Sequence, residues 1–497
     1  MGDQQLLLGI SRGDMLARIE RCGRDPAMLD LGSNMLLHFA YEYLPDPPVS
    51  AAAPLSLAGA SWVPDGVYRI SRLPDVLLRD IISRLPAKDA ARTAALASRW
   101  RPLWRSAPLA LVDSHLLPDG GATMDEHRGE MARWIDTLVA KGVQDLVFVN
   151  RPWPMDLRLP ATLFSCASLT RLYLGVWTLP GTAAVPRGAS FPNLRELGLC
   201  MTVMEERALA FLLERSPVLE FLLIMWSQTG ARLRLVSHSL RCLQLGYTHL
   251  EDIEVVDAPR LERLFLRNVS LPGTGKFTIN SPSRIKIGGA PNLRVLGYIQ
   301  PGQTELGISN TDIVAGSKEN IVLSVQILAI DVQFGIRNAV KKVPGFLRCF
   351  PNLETLHVYS PPISEKSTGK VNLKFWQEGG PMKCVVQSMK KVFFYEFQGS
   401  RSEVAFLKFI AERGRVMELM VVVVAKACFS SVDDDVSVKL KPLTGAKWSS
   451  KACKLQIIES PRTDVAGPLF RHKIASDFGW ADPFDLRYYK EERISVS

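Results

Sequence analysis

A six-residue pattern recurs along the middle of the chain, with apolar residues at its first, fourth and sixth places. It reads Val143-Leu146-Phe148, Leu169-Leu172-Leu174, Leu194-Leu197-Leu199 and Leu219-Leu222-Ile224. Leu240-Leu243-Leu245, Leu261-Leu264-Leu266, Leu293-Leu296-Tyr298, Val325-Leu328-Ile330 and Leu353-Leu356-Val358 continue it. Successive starts lie 26, 25, 25, 21, 21, 32, 32 and 28 residues apart. The last two apolar places of each unit are two residues apart, the period of a strand with one face turned inward. One such strand with its return segment cannot bury its own apolar side, but a stack can. The pattern therefore predicts a solenoid of parallel strands, with helical return segments at residues 205–215 and 336–343. The spacing clusters around the leucine-rich-repeat period of roughly 20–29 residues.

Upstream the period changes. Leu73, Leu77, Ile81 and Leu85 recur every four residues, with Leu78 and Ile82 beside them, which makes a wide apolar stripe on one helix. Pro74 suits the first helical position, and Asp75 places negative charge in the first turn. Pro86 stops the helix by disfavouring a helical Leu85. A second helix is expected from about Lys88 to Leu96, and Trp100, Leu103 and Trp104 finish the unit. A block this short cannot bury all its apolar side chains internally. It has the build of a plug for another protein.

Downstream the rhythm persists over residues 384–424, with Met389-Val392-Phe394 and Val416-Leu419-Val421 on the same template. Between them Ser402 is the expected cap of a helix whose apolar side is Val404, Leu407 and Ile410 and whose end is Gly414. Residues 1–64 are weakly patterned, and Pro45, Pro47, Pro48, Pro54 and Pro64 mark a linker. Residues 426–497 read as a tail, with Trp448 and Trp480 as its expected packing points.

Composition narrows this picture. Of 497 residues, 47% are hydrophobic and 22% charged, an ordinary globular balance for two to four domains. The net charge of +10 suggests an acidic partner without choosing among nucleic acid, a membrane surface and an acidic protein. The eight cysteines are far apart and form no C-x-x-C pair, which argues against zinc and for reduced, buried thiols. No secretory signal is legible, and the longest strongly apolar run, Leu419 to Ala425, falls far short of the roughly 20 residues of a membrane helix. Pro272-Gly273-Thr274-Gly275-Lys276 lacks the upstream glycine and following hydroxyl of a phosphate loop. Asp125-Glu126-His127 reads as a solvated helix start, and Asp433-Asp434-Asp435 lacks the glycine and closing glutamate of a calcium loop. No nucleophile–base pair stands out, so a non-catalytic protein without a cofactor is expected.

The block Leu73-Pro74-Asp75-Val76-Leu77-Leu78, Ile81-Ile82-Ser83-Arg84-Leu85-Pro86-Ala87-Lys88-Asp89 and Arg99-Trp100-Arg101-Pro102-Leu103-Trp104 resembles an F-box. Ser388-Met389-Lys390-Lys391-Val392, Glu396-Phe397-Gln398-Gly399 and Glu403 to Phe409 resemble an FBD domain. The whole resembles the plant F-box/LRR/FBD proteins. The implied fold is α/β: a three-helix F-box (65–112), an irregular leucine-rich-repeat solenoid of parallel strands with helical return segments (125–375), an FBD module (380–425) and the tail (426–497). Ala97 and Ser98 depart from the family's Ser and basic residue just before the final Arg-Trp.

The resemblance implies a substrate receptor of an SCF (Skp–cullin–F-box) ubiquitin ligase acting in the nucleus or cytoplasm. Its partners would be a Skp-type adaptor, cullin through it, and an unknown target protein. Leu73, Pro74, Leu77, Leu78, Ile81, Ile82, Leu85, Pro86, Leu96, Trp100, Leu103 and Trp104 are the expected adaptor-binding residues. From Asp65 to Val112, nine basic residues against four acidic leave +5, which would speed encounter with an acidic adaptor. Arg171, Tyr173, Arg263, Phe265, Arg267, His357, Tyr359, Phe393 and Tyr395 are expected on the concave side of the strands as target contacts. The alternatives are a repeat scaffold that recruits no ligase and, prompted by the charge, a basic nucleic-acid binder.

Overall fold

The computed structural model describes residues 16–17, 20–21, 25, 37–38, 40–45, 70–85, 87–107, 130–150, 157–248, 250–267, 284–308, 321–361, 371–426, 436–460 and 475–485. The expectations for the proline-marked linker, Pro86, Asp125–His127, Pro272–Lys276 and Asp433–Asp435 lie outside the described residues. The chain forms two compact units, one holding residues 10–134 and 149–157, the other 1–9, 135–148 and 158–497.

In the smaller unit, α1 (Asp75–Ser83), α2 (Ala87–Arg92), a 3-10 turn (Thr93–Ala95) and α3 (Trp100–Ser106) realise the predicted three helices. Pro74 is the N-cap of α1, one residue earlier than the sequence placed it. The core is Leu78, Ile82, Ala90, Trp100, Leu103 and Ala107, with Leu73, Leu85 and Trp104 partly buried against it. Arg99 joins the ends of the motif, donating to Asp75 Oδ1 at 2.6 Å and to the Leu73 carbonyl at 2.9 Å. α4 (Met131–Ala140) follows in the sequence, its first four residues in this unit and the rest in the larger one.

The larger unit is built on a twelve-stranded sheet. Its strands are β1 (Asp145–Val149), β2 (Arg171–Gly175), β3 (Glu196–Cys200), β4 (Phe221–Met225), β6 (Cys242–Gly246) and β8 (Arg263–Arg267). β10 (Val295–Ile299), β12 (Ile327–Asp331), β13 (Thr355–Tyr359), β14 (Lys391–Phe397), β15 (Leu419–Val424) and β16 (Lys454–Glu459) complete it. Each pairs in parallel with the same place in the next repeat, so Leu172, Leu197, Leu222, Leu243 and Leu264 form one buried ladder. Val176, Met201, Trp226 and Tyr247 follow four successive strands with φ between 52° and 61°. The amide of each of the first three still donates to the next strand, at 2.8–2.9 Å. A left-handed residue there turns the chain without breaking the ladder, at a cost of about 1–3 kcal/mol that the flanking hydrogen bonds offset.

The return segments differ from expectation in the middle of the stack. α5 (Glu206–Glu214) and α6 (Arg337–Arg348) are the two predicted helices, α6 running five residues past its predicted end. Between them the returns are strands: β5 (Arg232–Val236), β7 (Asp252–Asp257), β9 (Arg284–Gly289) and β11 (Glu305–Ile308) form a second, four-stranded parallel sheet. Their sequences alternate charge with Leu, Ile or Val, the period of a strand with one wet face. Leu233, Leu235, Ile253, Val255, Ile285 and Ile287 are its buried side.

Two template assignments require correction. At β10 the register shifts between Leu296 and Ile299, so Ile299 takes the buried place given to Tyr298. At β15 the frame is one residue later: Met417, Met420 and Val422 are buried inside, whereas Val416 is exposed and Leu419 half-buried. Met420 and Val422 pair with Val392 and Phe394, which fixes that register. Residues 416–425 are apolar at nearly every position, so alternation could not choose the face. The helix before β15, α7 (Arg401–Arg413), is capped by Ser400 and not Ser402. Ser400 Oγ accepts from the Glu403 amide and Glu403 returns the bond to the Ser400 amide, a capping box at its usual three-residue spacing. Ser402 is buried and accepts from the Val371 amide at 3.0 Å.

Candidate docking surfaces

The twelve residues singled out for adaptor contact divide by position on α1 to α3. Leu78, Ile82, Trp100 and Leu103 are interior. Leu73, Leu85 and Trp104 are half-buried, and Pro86 lies outside the described residues. Pro74, Leu77, Ile81 and Leu96 face solvent, with Leu77 50% and Leu96 58% exposed. Leu77 and Ile81 are four residues apart and share one side of α1, and Leu78 and Ile82 share the adjacent, inward side. Sequence reasoning missed two further outward residues, Val76 at 71% and Ile70 at 56% exposed. Apolar side chains rarely stand this exposed in a group without a partner. Arg84 and Arg92 pair with Asp80 and Asp89 one turn away, and these two arginines, like Arg72, Arg101 and Arg105, are exposed.

Eight of the nine residues expected on the strands share the face opposite the ladder; seven of these are buried, and Arg171 is half-exposed. Tyr173 lies flat over its cross-strand partner Gly198, where a Cβ would come within 2.2 Å of the ring. Its hydroxyl donates to Glu196 at 3.2 Å, and Arg171 donates to the same carboxylate at 3.0 Å. Burial, with Glu196 beside it, pushes the Tyr173 hydroxyl far above its ordinary range. Tyr359, Phe393 and Tyr395 pack in one buried cluster with Val421 and Val423. Arg267 ends β8, and its side chain lies outside the described residues.

The centre of this face is covered by residues 475–485 of the same chain. Arg263 donates to the carbonyls of Ala475 at 2.8 Å, Asp477 at 3.1 Å and Trp480 at 2.5 Å. Arg241 and Arg263 lie over the Phe478 ring, 3.7 and 4.6 Å from its centroid. His357, fully buried and stacked on Phe393, meets Asp482 at 3.0 Å through one ring nitrogen and the Tyr395 hydroxyl at 2.9 Å through the other. The Tyr395 hydroxyl donates to the Phe484 carbonyl at 3.1 Å. Burial pulls the Asp482 carboxyl up, but the charge and hydrogen bond of His357 and the Phe484 amide outweigh it and hold the group below the usual carboxylate range. Phe265, His357 and Tyr395, expected as target contacts, thus meet the chain's own tail in this structure. Asp477, Phe478, Asp482 and Phe484 were missed by the sequence reading. Their signal was compositional: three aspartates, three aromatic residues and no Lys or Arg in residues 475–485.

Much of the positive charge on the sheet is matched between repeats. Arg195 meets Glu220, Arg241 meets Glu262 at 2.7 Å, Lys390 meets Glu354 at 3.0 Å and Arg232 meets Asp252 at 3.6 Å. Among the described residues no group of three His, Cys, Asp or Glu side chains could hold a metal ion, and no helix is long and apolar enough to cross a membrane. Burial pushes the thiols of Cys200, Cys242 and Cys384 up, which keeps them protonated and unreactive.

Comparison with known families agrees with this geometry. An F-box domain model matches residues 70–111. A model described as "FBD-associated F-box protein At5g56370, LRR repeats" matches 131–358, and an FBD model matches 377–422. The chain therefore carries an F-box, leucine-rich repeats and an FBD domain, in that order. Its domain content and order match those of the Arabidopsis F-box/FBD/LRR-repeat proteins to which it is similar. It is similar to F-box/LRR-repeat protein 13 of Arabidopsis thaliana, 26% identical over 460 residues that cover 79% of this chain and 97% of that protein. F-box/FBD/LRR-repeat protein At1g78750 of the same plant is 24% identical over 464 residues, 78% of this chain and 96% of the relative.

Proposed function

We propose that this chain is a substrate-recognition subunit of an SCF-type ubiquitin ligase. The F-box helices dock a Skp-type adaptor, and through it cullin, while the repeat unit holds a target protein. The observation that carries the reading is the outward set Val76, Leu77, Ile81 and Leu96 on a helical unit whose own core is already complete. The chain does no chemistry in this scheme. Its contribution is effective concentration: tethering a target to the ligase raises the local concentration of its lysines toward about millimolar. The reading sets its work in the nucleus or cytoplasm, which imaging of a fluorescent fusion in plant cells tests.

The test of adaptor docking uses two variants of the full chain. Leu77→Asp puts a charge on the outward face and leaves the core untouched. Leu78→Asp breaks the core. Co-purification with a Skp-type adaptor is expected to survive in wild type and fail in Leu77→Asp while that variant keeps its helical circular dichroism. Undiminished capture by folded Leu77→Asp rejects adaptor docking through this face and favours a repeat scaffold that recruits no ligase.

A further inference from the structure

We propose that the outer face of β6 to β14 is a peptide-binding site for an acidic, aromatic-rich segment, and that residues 475–485 occupy it as the chain's own competitor. The inference rests on the target-receptor reading and gives the target's chemistry.

The site is built by the sheet. Phe265 on β8 and His357 on β13 stand either side of β10 and β12, whose residues at the same height are Gly297 and Ala329. These two small residues are already in contact, since a Cβ on Gly297 would fall 2.5 Å from the Ala329 Cβ, so neither can grow outward without loss. The result is a notch between two aromatic walls. The Phe484 ring fills it, with centroids 5.6 Å from Phe265, 5.2 Å from Tyr298 and 5.1 Å from His357. Tyr298 reaches this face because of the β10 register shift. Phe484 is 3% exposed.

Polar groups around the notch read a particular ligand. His357 takes a carboxylate on one side of the ring pocket, and Lys391 adds positive potential there. Arg263 takes three carbonyl oxygens of a turn, and with Arg241 it makes cation–π contact with a second aromatic ring. The complement is an aromatic ring, a carbonyl-presenting turn, then Asp-Pro-Phe, which is what Phe478-Gly479-Trp480-Ala481-Asp482-Pro483-Phe484 supplies. Recognition by Arg and aromatic anchors of backbone carbonyls and one deep ring is the anatomy of an interface more than of a domain core. The segment is not woven into the sheet either: none of its residues belongs to a strand. It therefore competes as a tethered ligand, and a target segment of the same chemistry displaces it in trans.

The experiment uses full-length protein and a fluorescein-labelled peptide of residues 475–485, read by fluorescence polarisation. In wild type the tethered copy holds the site, so the peptide binds weakly. In Asp482→Ala/Phe484→Ala the tether lets go, and the peptide is expected to bind at least tenfold tighter. Adding Arg263→Ala to that variant is expected to abolish binding, because the carbonyl turn loses its anchor. Equal, absent or Arg263-independent peptide binding overturns the proposal. So does global unfolding of Asp482→Ala/Phe484→Ala by circular dichroism, which would make the segment part of the fold. The adaptor is absent from this assay, so failure here leaves F-box docking to stand or fall on Leu77→Asp alone.

Discussion

The F-box helices and the outer face of the repeat sheet are both surfaces rich in residues that bind proteins, and they are in opposite states. On the helices the core closes without Val76, Leu77, Ile81 and Leu96, which are left in solvent. On the sheet, Phe265, His357 and Tyr395 are buried under the chain's own residues. An apolar side chain therefore signals docking only when its own fold has no use for it. Trp100 illustrates this: the most conspicuous residue of the sequence motif is 5% exposed and packs inside.

The largest effect expected is at that residue. Trp100→Ala should cost about 3–5 kcal/mol of stability in the F-box unit, as large-to-small core substitutions do. Chemical denaturation followed by circular dichroism checks it. A loss below about 1 kcal/mol would place Trp100 on the surface and dissolve the distinction drawn here. Next is the register of β15. Met417→Asp buries an unpaired charge and should cost more than about 3 kcal/mol, whereas Val416→Asp stays within about 0.5 kcal/mol. The reverse order would restore the frame read from the sequence. Gly198→Ala forces the Tyr173 ring aside and should cost about 1–3 kcal/mol. The same unfolding assay decides it, and Tyr173→Ala in the same chain should relieve most of the loss.

The smallest effect sharpens the filled side of the comparison. Asp482 is held below the ordinary carboxylate range in the folded chain. Its folded value is depressed, so its contribution is present above the unfolded carboxylate pKa and is lost as pH falls through the folded value. The stability gap between wild type and Asp482→Asn should therefore be open at pH 7 and close in acid. A gap that widens in acid would mean that the His357 contact does not favour the charged carboxylate.

The repeat period, most strand positions and the first F-box helix were legible because each rests on an unambiguous apolar period. The second sheet was not read, although Arg232-Leu233-Arg234-Leu235 and Arg284-Ile285-Lys286-Ile287 alternate cleanly. These strands are only four to six residues long and fall between units of the stronger leucine template, so their alternation does not stand out from it. Tyr298 and Leu419 were misplaced because a register shift and a run with two apolar faces both defeat a fixed template. Of the docking surfaces, the positions on each strand were legible and their occupancy was not. Nothing in the alternation of β8 or β13 says that Arg263 would meet residues more than two hundred positions away.

The proposed function stands on the outward face of α1 binding a Skp-type adaptor. Titration of that adaptor against wild type and Leu77→Asp, with helicity monitored in parallel, tests it most directly. Loss of a central apolar contact costs about 2–4 kcal/mol, or roughly 30- to 1,000-fold in affinity. The account predicts a drop in that range with helicity unchanged. Equal affinity of the two folded proteins, or no measurable affinity of wild type, would contradict it.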